Sequence, residues 1–579
     1  MSTERRDPIP FVIVLFALLS YGRVWSLHDG IWDDNTWLTS IYATTSLHEF
    51  LDTGFVELRR ELLGAFLYYF LSLHRTTDFF YALLHSINLL TLILSPLFLY
   101  HLVKRLFPDS PRLAALTALC WVSFPLDHTL PYISSINYRI GMTLTLASLY
   151  LTHLATDSQR RPLWPLVAAL LTAGLSQYLF LEPTITMEPG RALIVWLSLV
   201  RSGTSAALPL STLLSKIWPF WVLTLPLIGY KLLYRPYGMY EGVYPSDPLF
   251  FLHPRQILDS FHAIVAFERR ELGFAFALDN TWAMVLGAVA FSALILLFIH
   301  LESGLTKTNE PWALAPKDGL RPSAWAGHPT QELLLGATLL FPPASIFLYA
   351  HLPFVGEQHN THAALLQIGF SLLLGTGLTM AHAILVAQKK TLAVTLSLSV
   401  LFGSGVVFNN KYLDMYFHSW QEQSRFLDAF LRRFPSLAEG AVLLLDVRDE
   451  AFFSDLRNPI DFEFPLNLLY AESTDPKGFR RRFVSTPGEL QSVGVSTDPS
   501  RNDAEIFLTR RTHWGTEVLG MAHLIVVRYR KGRLLVNGEI LQEAPDVDYR
   551  GWLANAFPTL PSPRPSVLRD RVEGLERYR

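Results

Sequence analysis

Eleven apolar stretches dominate this chain, and they predict a bundle of membrane-spanning helices. A helix needs roughly 20 apolar residues to cross the hydrocarbon core of a bilayer. Because lipid offers no hydrogen-bond partner to backbone groups, helices are the plausible spanning structure for such segments. We predict spans at residues 9–27, 78–103, 111–127, 139–156, 162–181, 183–200, 214–233, 281–301, 331–352, 363–387 and 391–408.

The composition agrees with a membrane protein. Half of the 579 residues are hydrophobic and 17% are charged, against about 25% charged residues in soluble domains. A net charge of −2 gives no electrostatic reason to expect a nucleic-acid partner. With one cysteine, Cys120, no intramolecular disulfide and no cysteine-based metal site can form. No small-residue cleavage pattern follows the first apolar stretch, which we interpret as an uncleaved first span.

Basic residues in the short loops predict the orientation. Under the eleven-span prediction they all fall on one side of the membrane, and cytoplasmic loops are rich in Lys and Arg. They are Arg5, Arg6, Lys104, Arg105, Arg160, Arg161, Arg201, Lys216, Lys307, Lys317, Arg321, Lys389 and Lys390. We therefore predict an integral protein of the inner (cytoplasmic) membrane with a cytoplasmic N-terminus and an extracytoplasmic chain after about residue 408.

Two long loops fall on the outer side. The first, residues 28–77, contains the apolar stretch Leu62–Leu73, which is too short to span and predicts an interfacial helix. The second covers residues 234–280. We assign residues 1–424 and both loops to one transmembrane domain.

The C-terminal tail, residues 425–579, differs in character from the rest of the chain. It is charged, and it contains strand-like runs at Ala441–Val447 and Leu524–Tyr529. The pattern at Arg530–Arg533 predicts the turn of a hairpin whose second strand is Leu534–Val536. The tail therefore predicts a small extracytoplasmic α/β domain.

Two adjacent carboxylates, Asp33 and Asp34, follow the first apolar stretch. A carboxylate is costly to bury where a chain leaves the bilayer, so these side chains are either solvated or functional. As a structural pair they would end the span and cap an interfacial helix. As a functional pair, one of them could remove the proton of an attacking hydroxyl.

Motifs spread in order over residues 9–430 resemble the GT-C glycosyltransferases, specifically the protein O-mannosyltransferase-like group. Asp33-Asp34 opens the first outer loop, where that group keeps its acidic motif. His85-Ser86-Ile87-Asn88 resembles the family's His-x-x-Asn. Further resemblances are Arg59-Arg60, Phe124–His128, Tyr132–Arg139, Leu181–Thr186, Gly356–Asn360 and the exit helix Tyr416–Phe430.

The resemblance implies an inverting glycosyltransferase that moves a sugar from a polyprenyl-phosphate donor to a hydroxyl of a protein or glycan on the outer face. It implies Asp34, ahead of Asp33, as the catalytic residue, because relatives often use the second acid. The leaving phosphate can be met by the planar fork of arginine, so no metal and no other cofactor is expected. Candidates for substrate or lipid-phosphate binding are Arg59, Arg60, Arg139, Glu182, Arg235, Tyr237, Arg269 and His359.

Several candidates have a structural alternative. Arg139 could extend to the outer headgroups, and Glu182 could be an ordinary turn residue. Tyr234–Tyr237 could belong to an aromatic belt at the interface. His85 and Asn88, one helical turn apart, could hydrogen-bond to a neighbouring helix.

Two alternatives concern residues of the later outer loops. Glu268–Glu271 could be a self-paired, solvated helix face, which would give Arg269 no role in binding. His359 and His362, with His351, have the spacing of a weak metal site, but only Glu357 adds an acid nearby. We therefore expect no metal there.

Two other function classes stay open. The family's Arg before span ten and Glu before span four are absent, and the tail is independent, which fits a catalytically inactive accessory or structural subunit of a membrane assembly. A transporter would show internal repeats and broken helices near the midplane, and the sequence shows neither. The expected partners are a polyprenyl-phosphate-linked sugar, a protein or glycan acceptor, membrane lipid and, at the C-terminal domain, a partner protein.

Overall fold

The computed structural model describes the apolar segments and the strands of the tail. The described residues are 7–26, 78–126, 136–157, 163–179, 184–201, 210–233, 281–305, 328–349, 366–387, 390–435, 441–447, 483–485, 490–497, 504–512, 515–520, 523–530 and 533–536.

Eleven long α-helices lie in these residues, one for each predicted span, which confirms that part of the prediction. They are α1 (Ile9–Tyr21), α2 (Asp78–Leu106), α3 (Pro111–Ser123), α4 (Ile136–Asp157), α5 (Leu163–Leu179), α6 (Glu188–Arg201), α7 (Leu210–Leu233), α8 (Thr281–Leu305), α9 (His328–Tyr349), α10 (Leu366–Ala387) and α11 (Thr391–Arg433). A short 3-10 helix, Gly22–Ser26, continues α1.

Some of these helices have the length and composition of membrane spans. Three are long and apolar enough to cross a bilayer: Ala82–Leu106 in α2, Leu366–Val386 in α10, and α11. Shorter apolar helices occur at Ile9–Trp25, Arg112–Ser123, Leu163–Gln177 and Ala283–Ile295. By these two properties the chain is an α-helical membrane protein.

Helix α11 continues past residue 408, where the last span was predicted to end, and it includes the predicted exit helix Tyr416–Phe430 without a break. Past that point its buried side chains recur every three or four residues, the spacing of one helix face. Three of them, Phe426, Phe430 and Phe434, stack in sequence with ring centroids 5.8 and 4.8 Å apart. This packed face keeps the chain helical after the apolar run has ended.

Pairs of residues that lie close together on neighbouring helices give the relative directions of those helices. Residue numbers rise together along α2 and α4, along α4 and α6, along α5 and α7, and along α1 and α11, so each of these pairs is parallel. The contacts are Asn88–Arg139, Ser95–Thr143, Thr152–Arg191, His153–Ser198, Gly174–Leu223, Gln177–Thr224, Leu19–Asn410 and Arg23–Asp414.

Other neighbouring helices are antiparallel. Residue numbers run in opposite senses along α3 and α10, α6 and α9, α9 and α10, and α8 and α11. The contacts are Phe124–Gln367, Arg112–His382, Gly190–Leu339, Arg201–Glu332, Gly336–Leu373, Leu340–Gly369, Gly287–Val407 and Phe291–Gly403. The eleven helices therefore alternate in direction along the chain.

This alternation gives the bundle two distinct ends. We call the end where α1 finishes and α2 begins the first-loop end. The segments that join helices at this end are 27–77, 127–135, 180–183, 234–280 and 350–365. The segments between α2 and α3, α4 and α5, α6 and α7, α8 and α9, and α10 and α11 join helices at the opposite end.

Small residues let some helices approach closely. A Cβ added to Gly369 of α10 would lie 2.5 Å from the backbone nitrogen of Leu340 and 2.7 Å from the carbonyl oxygen of Gly336, both in α9. Real Cβ atoms do not reach such distances, so these two helices pack backbone against backbone. Close packing through small residues is the usual means of association between helices in lipid.

Seven strands follow α11 and form two sheets. They are β1 (Ala441–Val447), β2 (Phe483–Ser485), β3 (Leu490–Thr497), β4 (Ala504–Thr512), β5 (Gly515–Gly520), β6 (His523–Arg530) and β7 (Arg533–Val536). One sheet has the order β2-β1-β6-β7, and the other is an antiparallel sheet with the order β3-β4-β5.

The predicted strands and hairpin of the tail are confirmed. Strand β1 is parallel to both β2 and β6, and β6 pairs antiparallel with β7, with Arg530 opposite Arg533. The four-stranded sheet contacts α11, because Tyr529 is buried with its ring 5.3 Å from that of Phe426. Its hydroxyl donates a hydrogen bond to Glu422 at 3.3 Å.

Candidate functional site

Arg139 is the predicted site residue that the structure describes. The others lie outside the described residues: Asp33, Asp34, Arg59, Arg60, Glu182, Arg235, Tyr237, Arg269 and His359. Each of these residues belongs to a segment that joins helices at the first-loop end. Arg139 lies in the first turn of α4 and therefore belongs to the same end of the bundle.

Arg139 is enclosed by the bundle. Only 1% of its surface is exposed. Its Nη1 donates a hydrogen bond to Oδ1 of Asn88 in α2 at 2.8 Å. Charged groups are costly in such an environment and are retained where they pair or serve a function.

Asn88, which contacts Arg139, and His85 lie one turn apart on the same face of α2. Both are buried, at 2% and 1% exposure. The prediction that Asn88 hydrogen-bonds to a neighbouring helix is confirmed by its contact with Arg139. The structure therefore brings together two motifs that are 51 residues apart in the sequence.

Hydroxyl groups reinforce this contact between α2 and α4. Thr143 donates to the carbonyl oxygen of Arg139 at 2.8 Å and shares a 2.8 Å hydrogen bond with Ser95. Thr91 donates to the carbonyl oxygen of Asn88 at 2.7 Å. We call these five residues, Asn88, Thr91, Ser95, Arg139 and Thr143, the Arg139 cluster. The Asn88–Arg139 and Ser95–Thr143 bonds cross between the two helices and set their register.

A second buried arginine lies on the other side of α4. Arg191 of α6 is 1% exposed and donates from Nε to Oε2 of Glu188 at 2.9 Å. Its Nη1 donates to Ser148 at 2.9 Å and to Thr152 at 2.7 Å, both in α4. The guanidinium carbon lies 4.1 Å from the ring centroid of Phe220. We call Arg191 and these four partners the Arg191 cluster.

The pairing of Arg191 with Glu188 escaped the sequence analysis. The signal that could have found it is an acid and an arginine three residues apart inside an apolar segment, because ionisable groups at membrane depth are usually paired. The segment was predicted to begin at residue 183, whereas α6 begins at Glu188. That start places both charged side chains on one helical face, where an i, i+3 ion pair forms.

Gln367 was also missed, and it fixes the segment that leads to Arg139. Its amide nitrogen donates to the carbonyl oxygen of Phe124 at 2.9 Å, and its Oε1 accepts from the backbone N–H of Leu126 at 2.6 Å. The side chain is 3% exposed. It thus satisfies backbone groups that α3 leaves without a partner at its end, directly before residues 127–135.

The start of the first loop is tied to α11. Arg23 forms an ion pair with Asp414 and lies over the ring of Phe417, 5.1 Å from its centroid. Asn410 donates to the carbonyl oxygen of Leu19 at 2.8 Å. These contacts hold the chain in a defined place after α1, and the segment that contains Asp33 and Asp34 begins four residues after Arg23.

The opposite end carries an acid–base contact of its own. Asp7 accepts hydrogen bonds from Lys104 and Tyr100 near the end of α2. Burial raises the pKa of Asp7, but these hydrogen bonds, a backbone hydrogen bond from Ile9 and the charge of Lys104 together outweigh burial, so the pKa is lowered. The acid is held as a carboxylate by its neighbours.

Metal-ligand clusters are absent from the part of the chain that the structure describes. No group of three or more His, Cys, Asp or Glu side chains with a suitable arrangement occurs there. The histidines considered for a weak metal site, His351, His359 and His362, lie outside the described residues.

Comparison of the chain with protein-family models, curated proteins and solved structures gave no match. The GT-C resemblance therefore stays a prediction from sequence motifs.

Proposed function

We propose that this chain is a membrane glycosyltransferase of the GT-C type that uses a polyprenyl-phosphate-linked sugar. One observation carries the proposal: a fully buried arginine, Arg139, is held in the first turn of α4 at the first-loop end. A buried guanidinium with a fixed position is the group that a departing lipid phosphate requires.

The chemistry explains why an arginine suits this task. When the sugar leaves its lipid carrier, the bond between the anomeric carbon and the phosphate oxygen breaks, and negative charge grows on that oxygen. A guanidinium meets this charge with N–H donors in the geometry of phosphate oxygens, and it stays charged at any physiological pH. In a site from which water is excluded, its stabilisation of that charge is larger than in bulk solution.

A base completes the reaction, and we assign Asp34 to this role. The acceptor hydroxyl attacks the anomeric carbon from the face opposite the phosphate, so the configuration inverts. Its proton passes to the carboxylate of Asp34 as the new bond forms, and the electron pair of the broken bond leaves with polyprenyl phosphate. Asp33, directly before it in the chain, is the other acid of the pair.

The alternation of the helices supports this grouping of residues. The segments that contain Asp33, Asp34, Arg59, Arg60, Glu182, Arg235, Tyr237, Arg269 and His359 all join helices at the first-loop end. Substrate and lipid-phosphate contacts from these segments would converge on the end where Arg139 lies.

We assign the first-loop end to the extracytoplasmic face. Lys104, Arg105, Arg201, Lys216 and Lys390 lie at or near helix ends of the opposite side. Positive residues of short loops favour the cytoplasm, so the opposite end is the cytoplasmic one. A sugar donor on a lipid carrier would then enter the bundle from the outer leaflet of the inner membrane.

The test uses the full chain, purified and reconstituted in liposomes. The liposomes contain a panel of undecaprenyl-phosphate-linked hexoses and pentoses with peptide and glycan acceptors, and mass spectrometry measures the undecaprenyl phosphate released. We expect release with at least one donor, and loss of release in Asp34→Ala and Asp34→Asn while thermal unfolding is unchanged.

Two results would overturn the proposal. One is full transfer by both Asp34 variants. The other is wild-type protein that neither releases nor binds undecaprenyl phosphate, which, together with co-purification in fixed stoichiometry with another membrane protein, would favour the accessory-subunit alternative.

A further inference from the structure

We infer that α11 connects the bundle rigidly to the four-stranded sheet and holds this sheet at a fixed height and rotation over the first-loop end, where it contributes to binding of the acceptor. The inference rests on the proposed function, in which the sugar donor lies in the membrane and the acceptor hydroxyl comes from water. It adds a role for the C-terminal sheet in that reaction.

At the first-loop end, α11 is attached to the ends of two other helices. Asn410 and Asn409 donate hydrogen bonds to backbone carbonyl oxygens of α1 and α3, at 2.8 and 3.0 Å. A Cβ added to Gly405 would lie 2.5 Å from the carbonyl oxygen of Ser123, so α11 and α3 are in backbone contact. Helix α11 is therefore fixed relative to both helices that lead into the outer segments 27–77 and 127–135.

Farther along, the same helix is attached to the four-stranded sheet. The ring of Tyr529 in β6 packs edge-on against that of Phe426, with centroids 5.3 Å apart, and its hydroxyl donates to Glu422 at 3.3 Å. Glu422 is 6% exposed and Tyr529 is 0% exposed, and Val527 on the same face of β6 is also buried. The sheet is therefore held by a packed interface.

The part of α11 between these two attachments has the features of a straight helix. Asp414, which pairs with Arg23 after α1, and Glu422 are eight residues apart, a rise of about 12 Å along the axis. Neither glycine nor proline occurs between residues 406 and 433, and sharp kinks usually arise at such residues. The position of the sheet therefore follows from the position of the bundle.

This placement separates the two substrates of the proposed reaction. The polyprenyl chain keeps the donor phosphate at the membrane surface, whereas a hydroxyl of a protein or glycan arrives from water. Because the sheet is attached about 12 Å beyond Asp414, it lies on the water side and is placed to contact the acceptor. A displaced sheet should therefore weaken acceptor binding and leave the affinity for the lipid phosphate unchanged.

Insertions into α11 displace the sheet by known amounts. Each helical residue adds a turn of about 100° and a rise of about 1.5 Å. Two alanines inserted between His418 and Ser419 turn the sheet by about 200° and raise it by about 3 Å. Four alanines at the same place raise it by about 6 Å but bring it to within about 40° of its original rotation, so they are the matched control.

The deciding measurement is the KM for the acceptor that the liposome assay identifies, using full-length protein with two or four inserted alanines. We expect this KM to rise by about tenfold or more with two alanines and by less with four, because the longer insertion restores the rotation. The affinity for undecaprenyl phosphate should be unchanged in both. Neither a flexible connection nor a folding defect would make the shorter insertion the more damaging one.

A distance measurement tests the rigid connection without reference to activity. Trp25→Cys after α1 and Arg533→Cys in β7 place spin labels at exposed positions, while the natural Cys120 is fully buried. Pulsed electron paramagnetic resonance in nanodiscs should give one narrow distance distribution, which moves with the two-alanine insertion and stays narrow. A broad distribution in the chain without an insertion would overturn the inference.

Failure of the inference differs from failure of the proposed function. If the acceptor KM is the same in all three proteins, or rises steadily with the length of the insertion, the placement of the sheet does not serve the acceptor and the inference is wrong. If the chain without an insertion transfers no sugar from any donor, the proposed function fails and the role in acceptor binding fails with it. The distance distribution then still decides whether α11 holds the sheet rigidly.

Discussion

Arg139 and Arg191, two buried arginines of the described helices, are held by different kinds of side chain. Each is 1% exposed; Arg139 of α4 bonds to α2, and Arg191 of α6 bonds to the opposite face of α4. Arg191 bonds to a carboxylate and two hydroxyls and lies over an aromatic ring. Arg139 donates a hydrogen bond to a neutral amide, that of Asn88 in α2. The comparison teaches that two arginines can be equally buried and still differ in the side chains that hold them, so burial by itself assigns neither of them a role.

The energetic consequences of the two arrangements differ as well. A buried ion pair contributes little net stability, because desolvation of both charges offsets their attraction, but removing one partner leaves a buried charge uncompensated. We therefore expect the Arg191 cluster to respond to mutation mainly through stability. We expect the Arg139 cluster to respond mainly through binding and turnover.

The largest effect on stability should come from Glu188→Ala. This variant tests whether Arg191 depends on its charged partner for stability. Loss of the carboxylate leaves the charge of Arg191 in the bundle, at an expected cost of about 3–5 kcal/mol in unfolding free energy. Mixed-micelle denaturation with SDS measures this quantity. As a control, the double variant Glu188→Met with Arg191→Met removes both charges and should recover most of the loss. A single variant as stable as the wild type would show that the pair is not buried as described.

A smaller effect is expected from Gln367→Ala, which removes a neutral buried side chain. The backbone groups of Phe124 and Leu126 that it satisfies would lose their partner, at about 1–3 kcal/mol. Under the proposed function, this change should also lower transfer, because the α3–α4 segment leads to Arg139. Gln367→Glu would place a carboxyl group against the carbonyl oxygens of Phe124 and Trp121, so it should be at least as unstable as Gln367→Ala. Equal stability of all three proteins would refute this account of Gln367.

The smallest effect is expected at Asp7, an acid–base contact open to water. Its side chain is 29% exposed and that of Lys104 is 43% exposed, so solvent screening limits the pair to about 1 kcal/mol or less. Because folding lowers the pKa of Asp7 from its ordinary value of 3.8, its contribution is present above about that pH and is lost as the pH falls through the lowered value.

Thermal unfolding in detergent, measured from pH 6 down to pH 3, tests this direction. The wild type should exceed Asp7→Asn in stability at pH 6, and the difference should shrink below pH 3.8. A difference that grows as the pH falls would contradict the lowered pKa.

Much of the helical bundle could be predicted from the sequence, because a membrane helix requires a long apolar run that is visible in the sequence itself. The runs that became α2, α8 and α10 lie close to their predicted bounds. The residue at which a helix ends was harder to predict where packing against other side chains determines it. Helix α11 extends to Arg433 because Phe426 and Phe430 form part of a buried face, a feature of amphipathic spacing that hydropathy averages conceal.

The partners of the buried polar residues could not be predicted. Asn88 and Arg139 were both considered as site residues from the sequence. They are 51 residues apart and lie in different helices, so no local sequence pattern predicts their contact. Gln367 looks like one polar residue at the start of an apolar segment, and its role depends on the end of α3, more than 240 residues earlier. The roles of Asp33 and Asp34 stay predictions, since those residues lie outside the described ranges.

Binding of undecaprenyl phosphate to full-length protein in nanodiscs tests the central claim most directly. The wild type is compared with Arg139→Met and with the double variant Glu188→Met/Arg191→Met, which removes the other buried arginine together with its counter-charge. We predict that Arg139→Met loses affinity by about 10²-fold or more, while the double variant binds as the wild type does. Equal affinity of the wild type and Arg139→Met, or a loss confined to the double variant, would contradict the account.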